Sequence, residues 1–158
     1  MYRLEQETGA DRAEVEALYD TCFAPGREAL SSYRLRDGVP PVRELCLVAR
    51  DDLAIVGGAI RFWPVRVGRS DALLLGPVAV HPTRQGEGLG GTLILEGLER
   101  AEAQRWARVL LVGDAPFYQR FGFERLTGVE MPPPTNPDRI LGFGTWTGVA
   151  GRVTRWGG

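Results

Sequence analysis

Nineteen residues, Leu73 to Gly91 (LLLGPVAVHPTRQGEGLGG), narrow the folds open to this chain more than any other stretch of it. The apolar, partly β-branched run Leu73–Val80 has the length of a buried strand. His81-Pro82 ends it, since proline brings no N–H to a ladder and restricts the residue before it. Four glycines follow within Gly86–Gly91, and then an amphipathic segment, Thr92–Arg105. A strand, a glycine turn and a helix in that order point bare backbone N–H groups at an anion. The first amides of a helix lack intrahelical partners, and the macrodipole adds partial positive charge there. Glycines let a phosphate approach without meeting a Cβ. The expected ligand therefore carries a phosphate or pyrophosphate held at the start of that helix.

Three glycine patterns compete for the loop. Gly86 and Gly91 have P-loop separation and Thr92 follows. The P-loop needs a lysine, however, and all 19 basic residues of this chain are arginine. Gly86, Gly88 and Gly91 match the dinucleotide pattern GxGxxG, and Asp114 falls after a later strand. In that pattern the glycines follow their strand directly, and the fold repeats its βαβ unit. Here HPTRQ intervenes and one such unit is legible. The third pattern, Q/R-x-x-G-x-G/A, is met by Gln85-Gly86-Glu87-Gly88-Leu89-Gly90.

This third pattern resembles the acyl-CoA-binding motif of the GNAT superfamily of N-acyltransferases. A second segment, Phe117-Tyr118-Gln119-Arg120-Phe121-Gly122-Phe123, resembles that family's Y-x-x-x-G-F, in the right order after the loop. The resemblance implies an α/β fold of the GNAT type. Its central sheet is mixed and mostly antiparallel, with splayed parallel central strands and about four helices. It implies acetyl-CoA as co-substrate and no metal. The amides of Gln85, Gly86, Glu87, Gly88, Leu89, Gly90 and Gly91 would take the pyrophosphate. The pantetheine arm would run along Val78, Ala79 and Val80. Tyr118 would stand at the sulfur as the acid for the departing thiolate. Arg84 is suitably placed to add charge, because a guanidinium pairs with phosphate in a fork. The plainer reading of Tyr118 is an aromatic core residue beside Phe117, Phe121 and Phe123.

Around this centre the chain reads in order. Strands are expected at Tyr2–Gln6, Glu44–Arg50, Ala54–Val67, Arg108–Val112, Phe123–Leu126 and Ile140–Thr147, with an edge strand at Gly148–Val153. Helices are expected at Asp11–Phe23, at Arg27–Arg36 and after the glycine loop, and a short one from Pro116 capped by Asp114. The helix after the loop should bury Leu89, Leu93, Leu95 and Leu98. Asp51-Asp52 reads as a hairpin turn and Gly57-Gly58 as a bulge or close approach. Residues 1–158 read as one domain, with a flexible tail after about 153.

A net charge of −1 gives no electrostatic reason to expect nucleic acid. No apolar run reaches the length of a membrane span, and the first residues carry no signal-peptide core. Cys22 and Cys46 lie apart from any metal-ligand cluster, as expected for reduced thiols in a cytoplasmic protein. The expected activity is acetyl transfer from acetyl-CoA to a primary amine, on a small molecule rather than a protein, in a monomer or homodimer. The strand before the loop carries no carboxylate, so the base is open among Glu28, Glu44, Asp114, His81 and an ordered water. That gap sustains a second reading, a non-catalytic acyl-CoA binder. Trp63, Phe143 and Trp146 would wall the acceptor side, or belong to the core.

Overall fold

A computed structural model describes residues 1–23 and 31–157. In chain order its elements are β1 (Arg3–Gln6), α1 (Arg12–Cys22), α2 (Ser31–Arg34), β2 (Leu47–Arg50), β3 (Val56–Val67), β4 (Ser70–Val80), α3 (Leu89–Ala103), β5 (Arg108–Val112), α4 (Ala115–Tyr118), β6 (Glu124–Arg125), β7 (Val129–Glu130), β8 (Ile140–Gly144) and β9 (Gly151–Arg155). The strands run β1-β2-β3-β4-β5-β8-β6 across the sheet, and β9 pairs with both β3 and β7. The β4–β5 pair is parallel and its neighbours in the sheet are antiparallel. The mixed GNAT-type α/β sheet expected from the sequence is therefore present.

Alternation along the strands shows why so many of them read as unbroken apolar runs. Leu73 and Leu75 of β4, with Ile60 and Phe62 of β3 and Leu47 of β2, pack on Leu89, Leu93, Ile94, Leu98 and Ala101 of α3. Residues of opposite parity face the other way, and along β4 the parity reverses beyond the irregularity between Leu75 and Val78. Val48, Ala59 and Ala79 meet Val15, Leu18 and Tyr19 of α1. Ala72, Leu74 and Leu110 meet Leu35, Val129, Met131 and Val153. A sheet covered on both faces has no polar alternation to display. Leu95 corrects one expectation: it is 55% exposed, and Ile94 takes the buried place beside Leu93.

Several boundaries also shift. The expected strand start at Glu44 is a 3-10 turn, Arg43–Leu45, and β2 begins at Leu47. The last expected strand stops at Gly144 rather than Thr147. The edge strand lies at Gly151–Arg155 rather than Gly148–Val153, and Val129–Glu130 is an additional strand. Of the helix expected at Arg27–Arg36, residues 27–30, with Glu28, lie outside the described residues, and α2 covers Ser31–Arg34. The Gly57 bulge is present: Ala49 pairs with Gly58 and Arg50 with Val56, so Gly57 has no opposite residue.

Strands β4 and β5 share only the registers Leu73–Val109 and Leu74–Leu110, and then part. The parting coincides with a shift in the β3–β4 register, where Ile60 pairs with Val78 but Phe62 with Leu75. On β4 two residues, Gly76 and Pro77, stand against the single Arg61 of β3. A bulge bends its strand and ends local pairing, and Pro77 has no N–H to continue a ladder. Gly76 has φ +137°, a backbone state that favours glycine. The gap between the central strands is thus written into Gly76-Pro77.

Candidate functional site

The glycine loop begins where β4 ends. His81 accepts a hydrogen bond from Thr83 N at Nδ1, capping the turn Pro82–Arg84. That makes His81 a turn residue rather than an expected base. Gly86 and Gly88 have φ of +89° and +76°, and a Cβ on either would meet nothing within 4 Å. Their constraint is conformational, not steric: the left-handed turn is what brings successive amides to one side. Helix α3 starts at Leu89, and its first backbone bond to the loop is Thr92 N to Gly88 O at 3.1 Å. Among the described residues, no group accepts a hydrogen bond from the backbone amides of residues 85–91. Seven consecutive N–H groups thus remain for solvent or a ligand. The side chains are engaged elsewhere: Gln85 Nε2 donates to Val80 O at 3.3 Å, and Thr92 Oγ1 to Gly88 O at 3.1 Å.

Arg84 departs from its expected role. Its guanidinium donates to Asp51 Oδ2 at 2.6 Å and to the Tyr2 hydroxyl at 3.1 Å. Tyr2 in turn donates to Glu87 Oε2 at 2.9 Å. The Arg84 hydrogen bond holds the Asp51 carboxyl below its ordinary range. Asp51 also accepts from the amides of Leu53 and Ile55, closing the β2–β3 turn. The cation assigned from the sequence to a phosphate is neutralised by Asp51, and it ties the loop to β1 and to the turn after β2.

The gap between β4 and β5 holds a cleft of about 160 Å³. Leu75, Gly76, Pro77 and Val78 form one wall, and Leu111, Val112 and Tyr118 the other. Phe23, Tyr33 and Arg36 close the side toward α1 and α2. Past the splay, β4 keeps β3 on one edge, with Ala79 opposite Ala59 and Val80 opposite Gly58. Its other edge has no strand partner.

Tyr118 has the aromatic packing of the plainer reading and also borders the cleft. Its ring packs edge-on against Phe117 at 4.9 Å and Phe123 at 5.8 Å. It also lies against Gly113, where a Cβ would come within 2.6 Å of the ring. The residue lines the cleft nevertheless, and among the described residues its hydroxyl has no hydrogen-bond partner. Burial pushes the phenol above its ordinary pKa, so it stays protonated at neutral pH and is a donor by default. Asp114 caps α4 by accepting from Phe117 N at 3.3 Å, as the sequence suggested.

No carboxylate of the described residues lines the cleft. Glu44 is exposed on the turn before β2. Of the three expected acceptor walls, Trp63 alone reaches the neighbourhood. Its Nε1 donates to Gly76 O at 2.7 Å. Phe143 stacks on Phe123 at 5.6 Å in the aromatic core. Trp146 donates to Phe143 O and lines a separate hollow beside β6.

Sequence reasoning missed Arg36. It stands over the rings of Tyr33, at 4.0 Å, and Trp63, at 5.4 Å. Its Nε is buried with no hydrogen-bond partner among the described residues. The available signal was slight: an arginine between Tyr33 and a Pro-rich loop, with no acid at helical spacing before it.

No group of three His, Cys, Asp or Glu side chains among the described residues could hold a metal ion. No described helix is long and apolar enough to cross a membrane.

Comparison with known proteins gives concordant results. The family model described as an acetyltransferase (GNAT) domain matches residues 42–125. The chain is 37% identical over 121 residues to YhbS of Escherichia coli (strain K12), described as an uncharacterized N-acetyltransferase, covering 75% of this chain and 71% of that protein. It is 30% identical over 131 residues to YjhQ of the same strain, also described as an uncharacterized N-acetyltransferase, covering 81% and 72%. Among solved structures, the Escherichia coli YhbS complex with CoA superposes with a TM-score of 0.84 over 98% of this chain and 89% of that one, at 30% identity. A GNAT acetyltransferase from Brucella melitensis in complex with acetyl-CoA superposes at 0.66 over 86% and 94%, at 32% identity.

Proposed function

This chain belongs to the GNAT family of acetyltransferases, and on that premise we propose that it moves an acetyl group from acetyl-CoA to the amine of a small molecule by direct attack. The observation that carries the reading is the run of unpartnered amides at residues 85–91, shortly after the strand whose Leu75–Val78 stretch lines a cleft together with Tyr118. Anion, arm and thioester would then follow one another along the loop, the free edge of β4 and the β4–β5 gap. Two of the similar solved proteins hold CoA or acetyl-CoA.

In this reading the loop amides at the start of α3 bind the diphosphate of the coenzyme, where donors and dipole act together. The pantetheine arm lies beside Val78, Ala79 and Val80. The amine lone pair attacks the thioester carbonyl carbon, and the C–S bond breaks as the adduct collapses. Tyr118 gives its proton to the departing sulfur, which leaves as the thiol. The proton lost by the nitrogen passes to water, because no described carboxylate lines the cleft. A thiolate is a fair leaving group, so a phenol is a sufficient acid. The free thiols of Cys22 and Cys46 suit a cytoplasmic setting.

The same lack of a carboxylate favours a second reading, an acyl-CoA binder without turnover. Calorimetry with acetyl-CoA, together with CoA release over a panel of primary amines, separates the two. Binding with release on at least one amine is the expected result. Binding with no release on any amine leaves the binder, and no binding removes both.

A further inference from the structure

The wall of the cleft formed by Arg36 also borders a second cavity, of about 450 Å³, lined in part by Arg12, Arg36, Arg43, Arg61 and Trp63. Glu7 is the one carboxylate among its described lining residues. That carboxylate is committed: Arg61 Nε and Nη2 grip Glu7 at 3.0 and 2.8 Å, and Arg61 Nη1 reaches Glu16 at 2.6 Å. Arg12, Arg36 and Arg43 make no ion pair with any described residue. Arg12 and Arg43 are exposed and can be satisfied by water. Arg36 is not so placed: its Nε is sealed from solvent without a hydrogen-bond partner among the described residues, its guanidinium lies over the Tyr33 ring, and burial depresses its pKa.

A guanidinium held between rings, with no carboxylate partner among the described residues and half deprived of water, is a costly arrangement that an incoming anion would relieve. Its stacking fixes the fork, and a carboxylate or phosphate matches that fork in a bidentate way. Arg36 lines both the cleft with Tyr118 and the cavity with Arg12 and Arg43. An anion on Arg36 would therefore sit within one small molecule's reach of the thioester. We infer that the acceptor is an acidic amine, whose carboxylate or phosphate is taken by Arg36, with Arg12 and Arg43 drawing it into the pocket. The inference rests on the acetyltransferase reading and narrows its substrate class. Arg36 is then the specificity-determining residue of the acceptor side.

The test uses matched amines that differ only in the anion: L-alanine against L-alaninamide for a carboxylate, phosphoethanolamine against ethanolamine for a phosphate. CoA release is followed with each. The anionic member of at least one pair should show kcat/KM higher by about tenfold or more, the worth of a charge-assisted hydrogen bond. Which pair responds tells carboxylate from phosphate. The variant R36Q should collapse that ratio through KM. R43Q, at an exposed position, should lower it less, and by a smaller factor as salt rises. Binding is measured separately, by titrating N-acetyl-L-alanine, N-acetyl-L-alaninamide, N-acetylphosphoethanolamine and N-acetylethanolamine into the protein–CoA complex. If neutral or cationic amines react as well as the acidic ones, and the acetylated acids bind no better than their neutral counterparts, the anion pocket is overturned while the acetyltransferase stands. If no amine releases CoA yet an acetylated acid binds the wild type and not R36Q, the acceptor role falls and only the anion site remains.

Discussion

The two ends of the cleft are built in opposite ways. The proposed coenzyme end is one contiguous segment, Val78 to Gly91, and the donors it offers are backbone N–H groups. The proposed acceptor end is assembled from Arg12 of α1, Arg61 and Trp63 of β3, and Arg36 just after α2, three separate places in the chain, and its chemistry lies entirely in side chains. A backbone site needs only a turn of the right conformation, and glycine supplies that within a few residues. A side-chain site needs a fold to bring its parts together. The first can be read from spacing, and the second cannot be read until the strands are in register.

Substitutions that act on one end and spare the other test this division. The largest effect belongs to Tyr118, where the two ends meet. Tyr118→Phe should lower kcat by about a hundredfold or more, the scale of a lost general acid, with acetyl-CoA affinity by calorimetry unchanged. A variant that turns over normally would take Tyr118 out of the mechanism. Next is Gly88→Val, which places a β-branched residue at φ +76°. Left-handed strain and lost amide alignment should weaken acetyl-CoA binding by about tenfold or more. The acceptor dependence should not move; if it does, the two ends are not separate. Asp51→Asn is milder. It loosens Arg84 from the turn after β2, and a partly exposed pair of this kind supports a weakening of acetyl-CoA binding of only a few-fold.

The smallest expected change is none at all. Burial raises the Tyr118 pKa, so the neutral phenol is favoured in the folded state. Its proton is present throughout neutral and mildly alkaline pH, and lost only above tyrosine's usual ~10. Folding stability attached to this group should likewise be complete below ~10 and fall as pH rises beyond it. Initial rates with acetyl-CoA saturating should therefore show no decline from Tyr118 between about pH 7 and 9.5. A kcat limb inside that window, absent in Tyr118→Phe, would show the phenol ionising earlier than its burial allows.

How much was legible follows the same division. The apolar run of β4, the glycine spacing and the periodicity of α3 are local, and they located strand, loop and helix to within a few residues. Leu95 was misassigned because a leucine-rich helix offers more apolar residues than one face can hold. Leu45 and Cys46 are buried like strand residues, yet Leu45 lies in a 3-10 turn. Burial alone does not reveal where an amide finds its partner. Strand β9 was displaced by a few residues because β3 and β7 set its register from far away in the chain. Arg84 looked available for phosphate only because its partners, Tyr2 and Asp51, lie on other elements.

The short β4–β5 ladder has a mechanical corollary. With only Leu73–Val109 and Leu74–Leu110 in register, the two halves of the sheet are stitched along their midline by a very brief seam. A molecule lying in the opening would act as a rivet across it. Deuterium uptake at Val78–Val80 and at Leu111–Val112 should slow together once acetyl-CoA is added, while β1 and β2, at the outer edge, keep their original rate.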